Sequence, residues 1–265
     1  MYSKSQLATK WFQYFIRASN SRGHGIHSPF VYEFIREVLN DDRNYYAYTL
    51  IETAKKNLLS DDRMLESMDL GAGSATGGDT KKKISDIARN SLSTTKFGRL
   101  LFRLANFYQA KVIIEMGSSL GISTAYLASA DALSNVVTLE GSPSIAKIAA
   151  ETFRKLKLNN ITQVTGPFEL ELPGVIQSNP PADLVFIDGN HRKIPVLEYF
   201  ERLLKKVSPA SLIIIHDIHW SREMEEAWEI IQQRPEAKLT IDIFSAGLVF
   251  FRNEFQVKQH FTIRF

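Results

Sequence analysis

From Lys111 onward, short runs rich in β-branched residues alternate with stretches of helical periodicity: KVIIEM, GISTAYLASADAL, VVTLE, SPSIAKIAAETFRKLKL, ITQVT, ADLVFID, IPVLEYFERLLKKV, SLIIIHD and SREMEEAWEIIQQ. Unbroken apolar strands separated by helix-length segments belong to a parallel sheet with helices on both faces. The rhythm breaks at the end. KLTIDIFSAGLVFFR holds two strand-like runs joined by a few residues centred on Ala246-Gly247. That is too short for a crossover helix, so the last strand pair is predicted to be antiparallel. Before residue 95 only SQLATKWFQYFIRA and SPFVYEFIREVLN read as helices, followed by polar, loop-like sequence from Asp61 to Lys83 in which Lys81-Lys82-Lys83 reads as a solvated helix start. The expected organisation is a helical extension with a lid-like loop over residues 1–94 and an α/β, doubly wound, mostly parallel domain over 95–265.

The composition fits one large globular domain, with 265 residues of which 44% are hydrophobic. A formal charge of +3 is far from the concentrated basicity of a dedicated nucleic-acid binder. With no cysteine, thiolate metal sites, disulfides and cysteine nucleophiles are excluded, and any catalysis must use oxygen and nitrogen groups. No apolar run approaches the roughly twenty residues needed to span a bilayer, so the expectation is a cytoplasmic protein with no membrane partner.

Two glycine-rich stretches compete as a binding loop: DLGAGSATG at residues 69–77 and EMGSSLG at 115–121. A nucleotide-binding loop needs a buried strand before it and a helix immediately after it, so that the helix N-terminus faces the ligand. EMGSSLG has both, following KVIIE and opening ISTAYLASA. DLGAGSATG has neither and is expected to be a surface or lid loop. Beyond the helix, NVVTLEGS places Glu140 at the end of a second strand, about twenty residues past the loop, where a carboxylate can accept both hydroxyls of a ribose. Position 119 is serine, so the pyrophosphate fingerprint Gly-x-Gly-x-x-Gly is not met. Glu115 at the strand end would repel phosphate but suits an ammonium group.

Glu115, Gly117, Gly121 and Glu140, with the closing antiparallel pair, resemble the class I S-adenosylmethionine-dependent methyltransferases over roughly residues 95 to 252. The resemblance implies a seven-stranded sheet of order 3-2-1-4-5-7-6. It also implies that S-adenosylmethionine lies over Gly117, Ser118 and Ser119 with Glu115 near its amino group and Glu140 on its ribose, and that Gly141, Gly166 and Phe168 complete the cofactor set. VTGPFE departs from the family where many members carry an acid for the adenine amino group. Phe168 either stacks on adenine or is an ordinary core residue.

In open α/β sheets ligands bind outside the carboxyl ends of the strands. The fourth and fifth strands end in VFIDGNHRK and IIIHDIHWS, which supply Asp188, Asn190, His191, His216, Asp217 and His219. Methyl transfer to a hydroxyl requires the acceptor to be oriented and its proton removed or its pKa lowered, by a base such as histidine or by a divalent cation. The pattern resembles the metal-dependent catechol and caffeoyl-coenzyme A O-methyltransferases, which implies that Asp188 and Asp217 could share magnesium or manganese. Ile218 stands where that family has an asparagine ligand, which favours a metal-free or weak-metal site. The expected catalytic set is Asp188, His191, Asp217 and His219, with Asp188 also touching the cofactor.

The amino-terminal RGHGIHSPFVYEFI resembles bacterial methyltransferase-like proteins of unassigned substrate. Ser28-Pro29 is predicted to start a helix as N-cap and first-turn proline. Three functions stay open: an O-methyltransferase acting on a small-molecule hydroxyl, which leads; a tRNA or other RNA methyltransferase; and a non-catalytic cofactor-binding protein. A homodimer is compatible with each.

Overall fold

The computed structural model describes residues 1–19, 27–67 and 80–265. The chain forms two compact units, one of Met1–Asp41 with Pro181–Phe265 and one of Asp42–Pro180. The stretch DLGAGSATG and His24 lie outside the described residues.

The first unit opens with α1 (Lys4–Arg17), whose N-terminus is closed by a reciprocal capping box between Ser3 and Gln6. Next comes α2 (Pro29–Phe34), which starts as its sequence predicts, with Ser28 as N-cap, its hydroxyl accepting from the Val31 N–H, and Pro29 in the first turn. A π-turn over Ile35–Leu39 continues it.

The chain then builds the second unit. It begins with α3 (Tyr46–Leu59), an antiparallel hairpin of β1 (Met64–Ser67) and β2 (Thr80–Lys83), α4 (Ile84–Ser91) and α5 (Thr95–Phe107). The hairpin corrects the reading of Lys81-Lys82-Lys83 as a helix start: these lysines pair with Met64, Leu65 and Glu66, and the helix begins only after them. Three strand–helix units follow: β3 (Val112–Met116) with α6 (Ile122–Ala128), β4 (Asn135–Glu140) with α7 (Pro143–Lys155), and β5 (Ile161–Thr165) with α8 (Phe168–Ser178). β3 pairs in parallel with β4, and β4 with β5, which is the expected 3-2-1 series. Ile113, Ile114 and Met116 are buried, as befits a strand covered on both faces.

Back in the first unit, β6 (Ala182–Ile187), α9 (Lys193–Leu204), β7 (Val207–His216) and α10 (Arg222–Gln233) lead to β8 (Leu239–Asp242) and β9 (Ala246–Phe250). β6 and β7 are parallel, β7 and β9 antiparallel, and β9 and β8 antiparallel, which matches the expected 4-5-7-6 series with its reversed closing pair. The turn of that pair is Ile243–Ser245, where Phe244 takes φ 66°, and Ala246-Gly247 already belongs to β9. A further strand, β10 (Gln259–Thr262), adds in parallel to β8. The mostly parallel sheet therefore has eight strands rather than seven. The extra strand is short and polar, which is tolerable at an edge and weak as a sequence signal.

Candidate active site

In the second unit, β3 ends at Met116 and the chain turns through EMGSSLG into α6. Gly117, Ser119 and Gly121 have φ of 99°, 45° and 86°, a left-handed sequence that glycine adopts freely and serine does not. Gly121 admits nothing larger, because a Cβ there would lie 2.6 Å from Phe153 Cε1 and 3.2 Å from the Ala149 backbone. The loop is sewn to β4: the Gly117 and Ser118 N–H groups donate to the Leu139 carbonyl at 2.9 and 3.2 Å. Those two amides are thus used internally, and the glycines serve the turn more than an anion.

Glu140, at the end of β4, is the pivot. Its Oε2 accepts the Ser119 N–H at 2.9 Å and its Oε1 the Ser142 N–H at 3.0 Å. Burial raises its pKa against the pull of these amides and that of Gly141. A carboxylate with both oxygens fixed from one side keeps lone pairs for hydroxyl donors on the other. The Ser118 hydroxyl is buried with no partner among the described residues, a polar group that a ligand would satisfy. Gly166 donates its N–H to the Glu140 carbonyl at 3.0 Å and takes φ 151°, and half-buried Phe168 opens α8.

Glu115, expected near the ammonium group of the cofactor, lies beneath the loop. It is fully buried, and its Oε2 accepts the Thr138 hydroxyl at 2.6 Å and the Thr124 hydroxyl. It therefore braces α6 against β3 and β4 beneath the loop. Thr124, Thr138 and Ser91, whose hydroxyl is 2.7 Å from that of Ser119, are supports that sequence reading missed. Hydroxyls carry no motif of their own. A groove of about 460 Å³ in this unit is lined by residues including Arg63, Glu66, Lys81, Lys147 and Glu151. It shares no residue with the loop, and Arg63 is already paired with Asp61 and Glu151.

In the first unit, β6 and β7 run in register from Leu184↔Leu212 to Ile187↔Ile215, so the next residues, Asp188 and His216, emerge side by side. His216 Nδ1 lies 2.8 Å from Asp188 Oδ1, and His191 Nε2 lies 3.6 Å from the same oxygen. Asp217 Oδ2 is 3.8 Å from His216 Nδ1. Burial alone would lower the His216 pKa, but the charges of Asp188 and Asp217 and the hydrogen bond from Asp188 outweigh it, and the value is pushed up to about 9. Burial works equally against an ionised Asp188, yet the His216 charge and hydrogen bond, with the His191 charge, hold it below the ordinary carboxylate range. Both groups are therefore charged at neutral pH. The backbone is strained here, with Asn190, His191 and Asp217 at φ 68°, 44° and 55°, as at many functional sites.

His219 stands in another cluster. Its Nε2 lies 2.8 Å from Asp242 Oδ2 and its Nδ1 3.0 Å from Glu225 Oε1, and the Phe244 ring stacks on it at 5.2 Å. Burial disfavours its charged form, but the two carboxylates outweigh that and raise its pKa. Both ring nitrogens are committed, so neither is open to a substrate proton. His216, absent from the expected catalytic set, is the histidine that meets Asp188. The strand register was the signal that could have found it.

A divalent cation does not fit the donors. Among the described residues no group of three or more His, Asp or Glu side chains is placed to hold a metal ion. Asp188 Oδ1 is taken by His216, and Ile218 is fully buried with no donor atom.

Residues 114–218 match the family model described as a methyltransferase domain. A catechol O-methyltransferase from Niastella koreensis is 33% identical over 124 residues, covering 46% of this chain and 55% of that protein, so the chain spans about half the length of the curated relative it matches. Among solved structures, the O-methyltransferase TomG from Streptomyces achromogenes, in complex with SAM, superposes with a TM-score of 0.56 at 21% identity over 84% of this chain and 95% of the other. The SAH-bound methyltransferase PaMTH1 from Podospora anserina gives 0.60 at 14% identity over 96% and 98%. The Bacillus cereus O-methyltransferase in complex with SAH gives 0.55 at 21% over 83% and 97%. Residues 114–218 are thus similar to a methyltransferase domain, and the chain has the fold of these solved structures.

Proposed function

We propose that the chain is an S-adenosylmethionine-dependent methyltransferase that methylates a hydroxyl of a small molecule, with residues 1–94 selecting the acceptor and 95–265 forming the catalytic domain. The observation that carries the cofactor reading is the clamp of Glu140 on the Ser119 and Ser142 amides below a left-handed glycine turn, inside the matched methyltransferase segment. The name of the curated relative supports a hydroxyl acceptor.

Glu140 would accept the ribose hydroxyls, Ser118 would donate its free hydroxyl, and Gly117 to Gly121, Gly141, Gly166 and Phe168 would shape the seat. S-adenosylmethionine held there would supply an electrophilic methyl group to the acceptor oxygen and leave as its demethylated thioether. The acceptor proton must leave as the O–C bond forms. His216, a cation at neutral pH, cannot take it. His191, half-buried and facing Asp188, is the base in this reading, and Asp188 is the carboxylate that orients it and balances the imidazolium formed. His216 keeps Asp188 ionised and fixed. No step requires a metal. Isothermal titration with S-adenosylmethionine and its demethylated product tests the reading, and a wild-type protein that binds neither would end it.

A further inference from the structure

We propose that α1 seats the protein on an anionic lipid surface, with Trp11, Phe12, Phe15 and Ile16 entering the interface and Lys4 and Arg264 meeting the head groups. Helix α1 has two apolar faces where a surface helix needs one. Tyr14 and Ala18 are buried against the first unit, and the Tyr14 hydroxyl donates to the Ile263 carbonyl. Trp11, Phe12, Phe15 and Ile16, with Ala8, follow the i, i+3, i+4, i+7 spacing on the next face, and Phe12 and Ile16 remain 59% and 61% exposed. Four large apolar side chains displayed contiguously are a binding surface rather than scattered surface residues.

The helix cannot bury that face by folding back. Lys10 pairs with Glu225 at 2.8 Å, Tyr2 donates its N–H to the Trp220 carbonyl and its hydroxyl to Glu225, and Arg264 Nε donates to the Phe15 carbonyl at 2.8 Å. The display is therefore preorganised, and binding costs little ordering entropy.

Charge selects the occupant. Helix α1 carries Lys4, Lys10 and Arg17 and no acidic residue, and the Arg264 guanidinium lies 4.3 Å from the Phe15 ring centroid. A second copy seated on the same face by a two-fold axis would set Lys4 and Arg264 against their own counterparts, with no carboxylate on either helix to answer them. Phosphate head groups answer both. Aromatic residues beside basic ones are the composition of an interfacial helix, which lies in the membrane plane and does not cross it. No helix among the described residues is long and apolar enough to span a membrane, and none is needed.

The test is co-sedimentation of the full chain with vesicles of phosphatidylcholine alone or mixed with phosphatidylglycerol. Binding to the mixed vesicles, weak on the neutral ones and weakened by salt, is expected. The double substitution Phe12→Glu and Ile16→Glu should reduce it roughly tenfold or more, with the thermal midpoint unchanged because both side chains face solvent. Lys4→Gln, milder for the fold, should reduce it about fivefold. Failure of the wild-type chain to sediment with mixed vesicles overturns the proposal, as does binding indifferent to these substitutions. A dimer in sedimentation velocity that Phe12→Glu splits, without lipid binding, assigns the face to a second copy instead.

Discussion

His216 Nδ1 lies 2.8 Å from Asp188 Oδ1, at the neighbouring ends of two parallel strands, and each holds the other charged. The pair has a pH signature. His216 is raised from 6.5 to about 9, so its contribution is fully present below 6.5 and is lost as pH rises through about 9. Asp188 is depressed below 3.8, so its contribution is present above that value and lost as pH falls through the folded one. His216→Ala strands a buried carboxylate and should cost about 3 kcal/mol near neutrality. Denaturant melts of wild type and variant should differ by that amount at about pH 6 and converge near about pH 10. A gap that widens with pH would refute the ion pair.

Gly98 on α5 faces Tyr126 on α6, and a Cβ there would lie 2.3 Å from Tyr126 Cε2. Alanine gains up to about 1 kcal/mol of helix propensity over glycine, but displacing a fully buried tyrosine costs about 1–3 kcal/mol. The ring cannot yield as a flexible chain end would. Gly98→Ala should therefore destabilise the protein by about 1–2 kcal/mol, read as a lower denaturant midpoint at constant m. A stabilised variant would show that α5 and α6 can separate freely.

The strand order within each unit was legible because its central strands are unbroken apolar runs, Leu184 to Ile187 and Leu212 to Ile215, which only a sheet covered on both faces accommodates. The reversed last pair was legible because its connection is too short for a helix. Elements that tertiary context decides were not. Helix α8 contains Pro173 and Gly174, which argue against a helix locally. Strand β2 is lysine-rich, and β10 takes its place from the open side of β8. At the site, residue types were readable but directions were not. The left-handed turn at Asp217 parts His216 from His219 and sends them to different carboxylates, and aspartate's tolerance of positive φ does not say which aspartate will use it.

Glu140 and Gly121 should fail differently as cofactor-loop variants. Glu140→Ala removes a carboxylate that holds two loop amides and would accept the ribose hydroxyls, so affinity for S-adenosylmethionine should fall by about 1–3 kcal/mol while the fold survives. Gly121→Val combines a strained φ of +86° with a clash against Phe153 and Ala149 and should abolish binding and lower the thermal midpoint. Calorimetry alongside thermal melts separates the two. Equal affinity in Glu140→Ala and wild type would remove Glu140 from the cofactor site.

In the proposed scheme His191 is the base and His219 a structural group. His191 Nε2 lies 3.6 Å from Asp188 Oδ1, while His219 is held at both nitrogens by Asp242 and Glu225. A general base contributes about 10²–10⁴ in rate, so His191→Ala should lose that factor in kcat with cofactor affinity retained. His219→Ala leaves Asp242 and Glu225 facing each other without the imidazolium. It should lower the thermal midpoint, most below the pH at which His219 titrates, because a raised histidine stabilises when protonated. Its pH–rate profile should keep the wild-type shape. Chelation distinguishes this scheme from a cation held by Asp188 and Asp217. Because Ile218 offers no donor and His216 occupies Asp188, a chelator should leave methyl transfer unchanged. Activity that requires added magnesium or manganese and survives His191→Ala would replace the histidine with a metal as the group that prepares the acceptor.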